Sequence, residues 1–159
     1  MNKANFLDIL NQRWQEFLSS IEGLSPEQMM LPGVCSTWSV KDIIGHVTSW
    51  EQETLSTLPD ILAGQPAPVY SQLYGSIDAL NAYMVLVKNR HSLQEVLDNL
   101  HKVHTKLLQF LEEANPAQFA DGTPFFIRLS MDTSEHYPEH TLAICAWRAR
   151  KGQIGRAHV

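Results

Sequence analysis

Apolar side chains recur three and four residues apart through most of this chain and nowhere alternate over the length of a strand, which restricts it to helices packed along apolar stripes. Phe6, Leu7, Leu10, Trp14, Phe17, Leu18 and Ile21 form one such stripe and predict a long helix over residues 3–22. In "LSPEQ", Ser25 is a cap, Pro26 takes the first helical position and Gln28 follows three residues after the cap, which predicts a short helical turn. Ser39 is a second cap, with Asp42 at the third helical position where a carboxylate suits the free amides. The helix it opens is expected to run to about Leu62, burying Val40, Ile43, Val47, Trp50, Thr54, Leu58 and Leu62, with His46 inside that stripe.

Beyond the breakers "AGQPAP", a helical pattern over Val69–Arg90 passes through Leu73, Ile77, Leu80, Met84 and Val87. Ser92 and Glu95 then form a capping box, and Leu93, Leu97, Leu100, His104, Leu107 and Leu111 mark the inner face of the next helix. "ANPAQF" and "ADGTP" read as stops. The last pattern runs through Leu129, Thr133, His136, His140, Ala143 or Ile144, and Trp147, with Arg148, Arg150 and Lys151 suiting a helix C-terminus and Gly152 its closing turn. The expected fold is an all-α bundle of four main helices with a helical crossover, one domain over residues 1–152 followed by a tail at 153–159.

A chain of 159 residues, 44% hydrophobic and 18% charged, suffices for one core. It has no apolar run near the ~20 residues of a membrane span, and "MNKANFLDIL" lacks the pattern of a secretory signal, so the expected setting is the cytoplasm, with no membrane partner. The net charge of -5 argues against nucleic acid and toward small-molecule partners. Cys35 and Cys145 lie far apart, form neither a disulfide framework nor a thiolate cluster, and are expected to be buried thiols.

Of seven histidines, His91, His101 and His158 fall at exposed positions, leaving His46, His104, His136 and His140 on inner faces. His136 and His140, four apart, can converge on one ion, and His46 is the natural third ligand from a facing helix. Nickel or zinc suits such nitrogens, and three protein ligands leave positions open for water or substrate, as catalytic sites do. The same histidines could equally be hydrogen-bonded core residues. Pro138 either kinks this helix, removing the bond to the Ser134 carbonyl, or restarts it and leaves His136 in a preceding turn. No HExxH and no Glu-x-x-His occurs, which excludes the zinc-protease and di-iron carboxylate patterns.

Around this set, Asp42 could orient His46 or simply cap its own helix, and Glu53 shares the face of His46 as a polar lining residue. Trp50, Tyr137 and Trp147 are candidates to line the pocket, with core packing the expected role of each tryptophan, and His104 is a core or cavity histidine. Cys35, in the loop before the His46 helix, could approach the site, while Glu135 and Glu139 are expected to face solvent.

"TWSVKDIIGHVTSWE" and, about ninety residues on, "EHYPEHTLAICAWR" resemble the DinB-like four-helix bundle superfamily, in particular its DfsB-type branch; "IDALNAYMV" and "SLQEVLDNLHKVHTKLL" look like the middle helices of that branch. The resemblance implies an up-down-down-up bundle with a long crossover, frequently dimeric, and a divalent metal held at the positions of His46, His136 and His140. Proteins of this kind include thiol transferases using mycothiol, bacillithiol or glutathione, a maleylpyruvate isomerase and colibactin self-resistance proteins. The function it implies is metal-assisted activation of a low-molecular-weight thiol or water against a small electrophile, a transferase or hydrolase reaction. The alternatives are a metal-free protein that binds or sequesters a small molecule, and a structural dimeric bundle.

Overall fold

The computed structural model describes residues 1–152, and among them every regular element is helical. In chain order these are α1 (Lys3–Ile21), α2 (Pro26–Met29), α3 (Val40–Leu62), α4 (Tyr70–Tyr74), α5 (Ile77–Lys88), α6 (Leu93–Glu113), a 3-10 turn (Pro116–Phe119), α7 (Pro124–Asp132) and α8 (Tyr137–Arg150). None is long and apolar enough to cross a membrane. His158 and the predicted tail lie outside the described residues.

The starts follow the caps. Ser25, Ser39 and Ser92 each accept a bond from the amide three residues on, and the side chains of Gln28, Asp42 and Glu95 in turn accept one from the cap amide, so α2, α3 and α6 all open with complete capping boxes. Asp42 is thereby committed to the Ser39 amide, at 2.9 Å, and does not orient His46. "ADGTP", read as a stop, is also a start, because Thr123 caps α7 with Pro124 behind it.

Two predicted helices are broken. Gly75, at φ 88°, separates α4 from α5, where a continuous helix over Val69–Arg90 was expected. The first part of the stripe assigned there fails with it, since Leu73 and Ile77 are 66% and 44% exposed, whereas Leu80 is buried with Met84 packed beside it. The second break lies at Thr133, whose φ of -127° and ψ of -90° end α7, so the pattern from Leu129 to Trp147 is two helices.

Helix α3 packs against α5, α6 and α7, while α1 packs against α8. The core between them contains Phe6, Leu10, Phe17, Ile43, Leu58 and Leu107, all fully buried or nearly so, with Trp147 among them. Trp147 is therefore a core residue rather than a cavity lining, and Tyr137 is buried in the same cluster. Both cysteines are exposed, contrary to expectation: Cys35 sits in the loop closed by a bridge to Trp38, and Cys145 lies on the outer side of α8.

Gly45, directly before His46, lets α5 lie close on α3. A Cβ there would stand 2.9 Å from Cβ of Lys88, a separation that side-chain atoms essentially never adopt. Gly45→Ala should therefore destabilise the protein by about 1–3 kcal/mol despite the better helix propensity of alanine. Urea unfolding of the two proteins checks this, and a gain in stability would show that α5 yields freely.

Candidate metal centre and its cavity

His46 comes from the second turn of α3, and His136 and His140 from the start of α8. Pro138 occupies the first turn of α8, where its missing amide donor has no helical partner to lose. The chain thus restarts rather than kinks. The Ser134 carbonyl, which a continuous helix would have left unpaired opposite Pro138, accepts instead from Nη1 of Arg13 on α1 at 2.7 Å. His136 stands at the cap position but keeps right-handed helical angles (φ -85°, ψ -43°), so its four-residue spacing to His140 still places both rings on one face.

The three Nε2 atoms converge. His136 Nε2 lies 2.9 Å from that of His46 and 2.8 Å from that of His140, and the donor atoms of all three residues fall within 4.8 Å of one another. A neutral imidazole nitrogen has either one hydrogen or one lone pair in the ring plane. His136 Nε2 therefore cannot satisfy both neighbours by ordinary hydrogen bonding. A cation shared by three lone pairs would satisfy all of them. At about 2.05 Å per bond a tetrahedral ion sets its nitrogens about 3.3 Å apart, so a few tenths of an ångström of opening would admit one. The buried Nδ1 atoms of His46 and His136 have no partner among the described residues.

Electrostatics keep these lone pairs available. Burial, then the neighbouring His140 and His136, push His46 down to about 2. Burial and His136 push His140 down to about 3, and burial takes His136 down to about 4. The Asp132 carbonyl is near enough to His136 to oppose that shift slightly, although Nδ1 makes no bond of proper geometry to it. All three rings are neutral at pH 7.

A cavity of ≈ 350 Å³ opens beside the triad, with His46 and His136 in its wall. Trp50 and Tyr70, with rings 5.2 Å apart and nearly perpendicular, form an aromatic side, and Trp50 Nε1 donates to Oδ1 of Asn81 at 2.8 Å. Arg128 and Asp132 form the polar side, with Ile77, Met131 and Glu139 at the mouth. Thr54 Oγ1 donates to Oδ2 of Asp132 at 3.0 Å, and burial raises the Asp132 carboxyl to about 6 against the counter-pull of Arg128.

Of the lining residues expected from sequence, Trp50 is in the cavity. Glu53 is not: half-buried, it accepts from the Tyr70 hydroxyl at 3.2 Å. Tyr137 is fully buried and donates to Oε1 of Glu51, to which His104 Nδ1 also donates at 2.9 Å. His104 is thus a core residue, stacked on Trp14 with centroids 3.6 Å apart. Glu139 is exposed as expected, yet borders the cavity.

Glu51, Asp132 and Arg128 escaped the sequence reading. For Glu51 a signal existed: Val47, Glu51, Thr54 and Leu58 lie four, three and four apart, so a carboxylate interrupts an otherwise apolar stripe, as His104 does on α6. For Asp132 and Arg128 the lost signal was the break after α7, which changes the direction in which that face points.

The depressed histidines make a stability prediction. Below their unfolded value of about 6.5 the unfolded chain binds protons that the folded triad refuses, so metal-free protein loses stability as the pH falls from 7 to 5. Asp132, raised rather than lowered, acts in the opposite sense between about pH 4 and 6 and is common to all variants compared. His140→Gln removes one of the three contributions, each about 1.4 kcal/mol per pH unit once below the unfolded value. Urea unfolding in chelator should then show a shallower slope for the variant between pH 6 and 5; equal slopes would mean that His140 titrates normally.

Residues 9–150 match the DinB superfamily. Among solved structures, the fold is shared with DfsB, described as a sibling lethal factor precursor (TM-score 0.80, 14% identity, 96% of this chain and 98% of that one). It is shared too with an uncharacterised Escherichia coli UTI89 protein (TM-score 0.79, 15% identity, 94% of each chain). A third similar structure is the colibactin self-resistance protein ClbS in complex with a dsDNA (TM-score 0.75, 12% identity, 90% of this chain and 93% of that one). No curated protein matches the sequence.

Proposed function

The chain belongs to the DinB superfamily, and from that premise we propose that it is a divalent-metal-dependent enzyme in which His46, His136 and His140 hold nickel or zinc beside a cavity for a small electrophilic substrate. The observation that carries this reading is the approach of two imidazole nitrogens to the single Nε2 of His136, at 2.9 and 2.8 Å, which no hydrogen-bond arrangement satisfies. When bound, the ion would supply Lewis-acid activation of a low-molecular-weight thiol or of water, lowering its pKa toward neutrality.

The rest of the chemistry falls to the chain. Trp50, Ile77 and Met131 shield the site from bulk water and offer apolar surface to a substrate. Asp132, the buried carboxyl of this cavity wall, is the acceptor for the proton that the nucleophile releases, and Thr54 fixes its Oδ2. Tyr137, donating to Glu51, anchors the residue next to His136 and so holds that ring in position.

The colibactin self-resistance role of ClbS supports a small-molecule substrate, and its duplex DNA marks nucleic acid as the competing partner. The net charge of -5 favours the small molecule. The cytoplasmic setting and the homodimer belong to the same proposal, the latter in keeping with exposed Leu73, Tyr83 and Leu86 along α4 and α5.

Metal content measured by inductively coupled plasma mass spectrometry on tag-free protein tests it. Wild type should carry close to one nickel or zinc per chain, and His46→Ala should lose it while keeping its helical circular dichroism. Wild type that stays empty after incubation with nickel, zinc, manganese and iron would refute the metal reading and favour a metal-free binding protein.

A further inference from the structure

Arg128 has more donors than the protein uses. Its side chain is 13% exposed, and it meets only Asp132, through Nη1, at 3.4 Å from each carboxylate oxygen. These are long contacts for a charged pair, which prefers 2.7–2.9 Å. The guanidinium carbon lies 5.1 Å from the centre of the Tyr70 ring, within cation–π range. That contact uses no N–H. Nε and Nη2 have no bond to any described residue, and Arg128 lines the cavity beside the triad. A rigid, partly desolvated guanidinium with a free donor edge is the arrangement that binds planar oxyanions two bonds at a time.

The nearby acids do not pre-empt this role. Asp132 directs Oδ2 toward Thr54, and Glu139 is exposed at the mouth, where solvent screens it. The same cavity is lined by buried Trp50 and by Ile77 and Met131, which leave apolar surface at the rim. We infer that the molecule taken by this cavity carries a carboxylate, gripped by the free edge of Arg128, and an apolar body that lies along Trp50 toward Ile77 and Met131. This rests on the reading of the cavity as the substrate site, and it assigns to Arg128 the choice of substrate rather than any part in bond breaking.

The test compares two probes of equal shape, 3-phenylpropionate and 3-phenylpropanamide, by calorimetric titration into wild type, Arg128→Met and Arg128→Lys. Each protein is used zinc-free and after zinc incubation, with zinc stoichiometry read separately. Wild type should bind the carboxylate at least about tenfold more tightly than the amide, the scale of a charge-assisted pair. Arg128→Met should bring that ratio close to one without weakening the amide. Arg128→Lys, which keeps the charge and loses the fork, should fall between them. Any metal-bound carboxylate raises the ratio in all three zinc-loaded proteins alike, so the difference among variants still reports on Arg128. A ratio equal in wild type and both variants, or no binding of either probe to wild type, overturns the assignment. Absence of zinc with the Arg128 effect intact would refute the metal site alone.

Discussion

The architecture depends on what α3 presents to the junction between α7 and α8. Three of its buried polar side chains reach across to that junction: His46 meets His136, Glu51 meets Tyr137, and Thr54 meets Asp132. Such groups are costly away from water unless paired, so each contact fixes where its partner can sit. Together they hold the chain on both sides of His136, four residues before it and one after it. Arg13 from α1 takes the Ser134 carbonyl within the same turn. A ring that would otherwise project from an irregular turn is thereby given one position.

This constraint explains why a helix break coincides with the metal-ligand candidates. A continuous helix through 129–147 would have continued the α7 face into α8, and Pro138 would have cost it about 3 kcal/mol. Breaking at Thr133 removes that cost, because the proline then lies in a first turn, and it frees α7 to turn Arg128 and Asp132 toward the cavity. The His136–His140 pair keeps its spacing because His136 retains helical angles. One local event thus produces both the histidine spacing and the cavity wall.

Much of this was legible from residues alone. The capping boxes at Ser25, Ser39 and Ser92 fixed three helix starts because cap chemistry is local. His46, His136 and His140 stood out because they fell within apolar stripes where a polar ring needs a partner. Illegible were the features settled by distant contacts. Periodicity runs unbroken through Thr133 and Gly75, so both breaks were missed, and with them the exposure of Leu73 and Ile77. Cys35 and Cys145 were misjudged because a residue's usual burial says nothing of the face it occupies. Tyr137 was credited to the cavity because nothing near it in sequence reveals Glu51, 86 residues away, as its partner.

The central claim is that three imidazole nitrogens share one divalent ion. X-ray absorption at the zinc edge of zinc-loaded protein tests it most directly, because multiple scattering from imidazole counts histidine ligands. The account predicts three histidines at about 2.0–2.1 Å with the remaining position filled by a light oxygen or nitrogen atom. A shell with one histidine or none would contradict it and would leave the cluster as three neutral rings packed in a core.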